Sequence, residues 1–103
     1  MSGGYAGPKA LEGTVSVILQ AINATNVPTA ADSLPTYRVY DGTTLITSGT
    51  SVAFDSGNIT GAYRISFAAT SALGFARNKT YAIYGKSTVT STIKVTWWYF
   101  TIT

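Results

Sequence analysis

The sequence predicts an all-β chain folded as a two-sheet sandwich of about seven antiparallel strands. Short apolar/polar alternations recur at intervals of roughly 8 to 12 residues, with turn residues between them. No segment shows sustained helical periodicity with caps. The clearest alternation lies within residues 60–84, where Tyr63, Ile65 and Phe67 interleave with Ala62, Arg64, Ser66 and Ala68, the period of two expected when one sheet face is buried.

Taken in order, residues 1–13 hold four Gly and one Pro among few apolar side chains, which predicts a flexible N-terminal arm, with Tyr5 and Leu11 as its anchors. The domain proper is expected over residues 14–103. Residues 14–23, TVSVILQAIN, form the first strand: Val15, Val17, Leu19 and Ala21 share one face, while Ile18 and Ile22 make the other partly apolar. That pattern predicts a central or covered strand. Residues 24–35, with two prolines, are a loop long enough to cross between sheets.

Residues 36–40 make a short strand with Tyr37 and Val39 on one face and Arg38 and Tyr40 on the other. Asp41-Gly42 signals a tight turn needing positive φ, so residues 43–47 return as a hairpin. Residues 51–55 make another strand with Val52 and Phe54 inward. After the strand carrying Tyr63, small residues 68–74 cross to Phe75, with at most one or two helical turns in residues 70–77. Residues 81–89 and 92–102 are the last strands, and Gly85 marks a bulge or a close approach. This series is the pattern of an immunoglobulin-like β-sandwich, with a closed barrel of the same strand count left open. Tyr81 is either a tyrosine-corner residue or simply a core aromatic.

The composition narrows the chemistry. Charged residues make up 11% of the chain against 46% hydrophobic, so charge-driven disorder is excluded and a Thr/Ser-rich surface is implied. The net charge of +3 comes from singly spread residues and not from a cation cluster of the kind that binds nucleic acid. No apolar run approaches the roughly 20 residues of a membrane span, and no signal peptide precedes the domain, which predicts a soluble protein made in a cytoplasm. Three Asn-x-Thr sequences at Asn23, Asn58 and Asn78 then read as turn chemistry.

With no His and no Cys, the usual general base, the thiol nucleophile and the commonest metal ligands are missing. The four acids, Glu12, Asp32, Asp41 and Asp55, fall in loops or the arm. Asp32 and Asp55 are the one conceivable hydrolytic pair, and Asp55 with Asn58 suits an Asx-turn better than a Ca²⁺ loop. No catalytic group, cofactor or metal is expected.

The run Gly61-Ala62-Tyr63-Arg64-Ile65-Ser66-Phe67, followed by Ala72-Leu73-Gly74-Phe75 and Lys79-Thr80-Tyr81-Ala82-Ile83, resembles the small Ig-like domains of tailed-bacteriophage virion proteins. Gly13-Thr14-Val15 and Pro35-Thr36-Tyr37-Arg38-Val39-Tyr40 look like that family's first and third strands, so the likeness runs over about residues 13–102. It implies a structural virion protein assembled in the host cytoplasm: a capsid decoration or cement protein, or a head-fibre, neck or tail component. Its partners would be the major capsid protein, other virion proteins and further copies of itself.

The chain departs from that family in its last strand, where Trp97, Trp98, Tyr99 and Phe100 are consecutive. Alternation puts Trp97 and Tyr99 opposite Trp98 and Phe100, so one pair fills the core and the other, with Val95, is left outside as an interface patch. Covering of that second face by the N-terminal arm stays open. The residues expected at an interface are therefore Trp97, Trp98, Tyr99 and Phe100, helped by Tyr5 and Leu11. The alternative is a carbohydrate- or receptor-binding module of a fibre or adhesin, stacking its ligand on Trp97 or Trp98 and on Tyr37 or Tyr40.

Overall fold

The computed structural model describes residues 2–103, which form eight strands: β1 (Ser2–Lys9), β2 (Thr14–Gln20), β3 (Thr36–Asp41), β4 (Thr44–Thr50), β5 (Val52–Ala53), β6 (Ala62–Ala68), β7 (Thr80–Val89) and β8 (Thr92–Ile102). One sheet has the order β1-β8-β7-β3-β4 and the other β2-β6-β5. The all-β, two-sheet architecture is as the alternations predict. Every strand pair is antiparallel except β1 with β8.

Most of the residues expected as an arm therefore belong to the sheet. β8 offers a long edge, and β1 satisfies its backbone groups by parallel pairing, from Ser2 opposite Trp97 to Lys9 opposite Ile102. The glycines that read as looseness have a different use. Gly4 and Gly7 adopt φ 82° and 93° at or beside the two register shifts of β1, where an L side chain would be strained. Pro8 is tolerated because β1 is an edge strand.

Between the sheets, Val15, Val17 and Leu19 of β2 and Tyr63, Ile65 and Phe67 of β6 face Tyr37 and Val39 of β3, Tyr81, Ile83 and Val89 of β7, and Trp98, Phe100 and Ile102 of β8. Each large side chain buried here contributes roughly 1.5–3 kcal/mol. Phe75, carried in by the crossing from β6 to β7, meets Tyr81 edge-on at 4.9 Å and stacks on Phe67 at 5.8 Å. The Tyr81 hydroxyl accepts from the Ala76 N–H at 2.8 Å. Tyr81 is thus both a core ring and a clamp on the loop before its own strand. The crossing holds a single 3-10 turn, Ser71–Leu73, whose Thr70 side chain accepts from the Leu73 N–H and which Gly74 ends at φ 112°.

Two strand assignments are corrected. β2 is an edge strand and not a central one, and its Ile18 is 45% exposed. In β5 the phase is reversed: Val52 pairs with the outward Arg64 and is exposed, as is Phe54, while Ser51 is buried. The Ser51 hydroxyl donates to the Pro35 carbonyl at 2.8 Å, which meets the cost of burying it and fixes that phase. Gly85 is a close approach, since β7 runs in unbroken register along β8.

Candidate binding face

The alternation along β8 decides what its four aromatics can do. Trp98 and Phe100 point between the sheets, with Phe100 fully buried. They are core residues, removed from the interface set by the requirement that one face of β8 fill the sandwich. Leu11 likewise packs against the core. Tyr37 is buried, its hydroxyl 3.4 Å from the Ser66 carbonyl, and burial raises its pKa. Of the sugar-stacking set Trp98, Tyr37 and Tyr40, only Tyr40 is left on the outside.

The opposite face of the five-stranded sheet gathers the rest. Tyr99 is 46% exposed and pairs in register with Tyr5, which is 62% exposed. Trp97 lies across from Tyr84 of β7, edge-on at 5.0 Å, and 6.5 Å from the ring of Tyr40. β1 extends the sheet beside β8 and does not cover this face. A strip of Tyr5, Tyr99, Trp97, Tyr84 and Tyr40 results, assembled from β1, β8, β7 and β3.

Two cations stand on the same face. Arg38 pairs with Tyr84 on one side and Ser48 of β4 on the other, and Lys86 pairs with Thr36 and Val95. Arg38 donates to the Tyr40 hydroxyl at 3.4 Å, which pushes the guanidinium pKa further up. The four carboxylates are engaged elsewhere. Glu12 accepts from Ser71, Asp32 from the Thr90 and Ser91 N–H groups, Asp55 from Asn58, and Asp41 pairs with Lys79.

Asp32 and Asp55 are therefore each occupied in separate local networks. Asp55 with Asn58 forms a turn, with the Asn58 N–H on the Asp55 carbonyl at 3.0 Å. Among the described residues no group of three or more ligating side chains gathers to hold a metal, and no helix is long and apolar enough to cross a membrane. Arg38, Tyr84 and Lys86 were not expected as site residues. Their strands show the right alternation, but only the β3–β7 pairing makes them neighbours. The face can stack rings and donate hydrogen bonds to an anion. Comparison with protein-family models, with curated proteins and with solved structures finds no match for this chain.

Proposed function

We propose that this chain is a structural Ig-like component of a tailed-phage particle, a decoration or cement protein that docks the outer face of its five-stranded sheet on the major capsid protein or on neighbouring copies. The virion assignment rests on the family resemblance over residues 13–102. The Ig-like reading is supported by the strand order β1-β8-β7-β3-β4 against β2-β6-β5 and by the corner hydrogen bond of Tyr81. The docking reading rests on one observation: Tyr5 and Tyr99 stand exposed side by side next to Trp97. Contiguous apolar surface of this kind marks an interaction site more often than a tolerated surface.

Repetition makes such a face effective. A contact burying about 800 Å² per partner loses much of its gross stabilisation to motional entropy, and many copies on one lattice offset that loss. Light scattering at several concentrations, with sedimentation against assembled capsids, tests the proposal. The expected result is self-association or capsid binding that Tyr99→Ser and Trp97→Ser abolish while leaving the fold intact. A wild-type chain that stays monomeric and ignores capsids overturns it.

A further inference from the structure

Beside the aromatic strip, β3, β4 and β7 enclose an open groove of about 620 Å³, lined by Thr36, Arg38, Tyr40, Ser48, Tyr84 and Lys86 among others. Arg38 and Lys86 both border it, and both are exposed. They sit one step apart along the paired strands, since Arg38 opposes Tyr84 and Lys86 is two residues further along β7. Their backbone positions are diagonal neighbours, a spacing of about 7–8 Å in a sheet, so two like charges share one side of the groove, and among the described residues neither is paired with a carboxylate. An anion placed between them relieves their repulsion and accepts from both.

The rest of the lining narrows the anion's class. Ser48 and Thr36 present hydroxyls, which donate to and accept from other hydroxyls. The walls are tyrosine rings held by neighbours: Tyr84 by the edge-on Trp97 at 5.0 Å, and Tyr40 by the Arg38 guanidinium. Rigid rings beside hydroxyls and cations suit a ligand with an apolar ring face, several hydroxyls and a negative charge. We propose that this groove binds an acidic saccharide, with its carboxylate on Arg38 and Lys86, its hydroxyls on Ser48 and Thr36, and one sugar ring against Tyr84. An acidic peptide supplies the charge but leaves the hydroxyls and ring walls without use. The groove shares Tyr40 and Tyr84 with the face proposed to dock, so saccharide and docked partner exclude each other there, and saccharide binding is read on the free chain.

The test is calorimetry or affinity electrophoresis of the full chain with polygalacturonate, with neutral dextran and poly-glutamate as comparators. The expected result is salt-sensitive binding of polygalacturonate that Arg38→Gln and Lys86→Gln each weaken about tenfold, the loss of one charge-assisted contact. Tyr84→Ser weakens it further, and Arg64→Gln, on the exposed face of the other sheet, leaves it unchanged. Circular dichroism verifies that each variant is folded. Equal binding of poly-glutamate, equal binding of dextran, no binding of any polymer, or an equal loss with Arg64→Gln each overturns the proposal.

Discussion

The indole of Trp98 lies over Gly85: a methyl group built on Gly85 falls 2.9 Å from Cζ3 of Trp98 and 2.7 Å from Cδ1 of Leu19. β7 therefore has no side chain at the point where the largest core ring crosses it, and Leu19 of the facing sheet closes down on the same spot. Gly85→Ala is expected to cost about 1–3 kcal/mol, because the rigid indole must shift even if the Leu19 methyl rotates away. A urea titration reads this as a lower midpoint with an unchanged slope.

Gly61 is the more severe case. It adopts φ 77°, and an added methyl falls 2.5 Å from the Thr29 carbonyl oxygen and 2.9 Å from that of Ala21. Both are backbone atoms, and the Ala21 carbonyl also accepts from the Thr29 N–H at 3.0 Å. Gly61→Ala is expected to cost more than Gly85→Ala, since strain at positive φ adds to a clash that no rotamer change relieves. Comparable midpoints for the two variants would refute this ranking.

The hairpin joining β7 to β8 turns on Thr90 and Ser91, at φ 48° and 65°. Positive φ at both positions belongs to a type I′ turn, which favours Asn-Gly. The Asp32 carboxylate holds it by accepting from both N–H groups, at 2.9 and 3.2 Å. Asp32→Ala should cost about 1 kcal/mol. Replacing Thr90-Ser91 by Asn-Gly should stabilise by about 1 kcal/mol, or roughly 4–8 °C in Tm, by relieving the left-handed strain.

Glu12 accepts from the Ser71 N–H at 2.9 Å and the Ser71 hydroxyl at 2.8 Å, and these bonds, the backbone one first, hold its pKa below the ordinary value of 4.5. A carboxylate with a depressed folded-state pKa adds stability that is present above its unfolded value and lost as pH falls through the folded one. Wild type should therefore exceed Glu12→Gln in stability at pH 7, with the gap closing below about pH 4.5. A gap independent of pH would mean that the charge is not what holds Ser71.

That same hairpin explains what the sequence conceals. Alternation alone separates Trp97 and Tyr99 from Trp98 and Phe100, but the choice of inner pair needs the register of β8 against β7. A two-residue turn at Thr90-Ser91 sets Ile83 opposite Trp98, and with neither Gly nor Asn in it the turn carries no sequence signal. By contrast, Asp41-Gly42 is legible, and the structure has Gly42 at φ 61° in the β3–β4 hairpin. β6 reads correctly because its apolar set alternates cleanly over one buried face. β5 does not, because two residues are too short for a period and the burial of Ser51 depends on a carbonyl 16 positions away. The candidate groove is hidden for a related reason: Arg38 and Lys86 meet only through pairing of strands that are not consecutive.

The two adjacent tryptophans then make opposite predictions. Trp98 is 7% exposed between the sheets, and Trp98→Ser removes a core indole over a glycine that cannot fill the space. The expected cost is about 3–5 kcal/mol, a large share of a small domain's stability. Trp97 stands on the outer face, held edge-on by Tyr84 at 5.0 Å. Trp97→Ser should cost only about 1 kcal/mol, the worth of an aromatic pair at a surface, and leave the fold intact. Denaturation of both variants followed by tryptophan fluorescence separates them, since Trp98 alone should report a buried environment in the native state. If Trp97→Ser proves as destabilising as Trp98→Ser, the outer face is part of the fold's own support and the docking surface must be sought elsewhere.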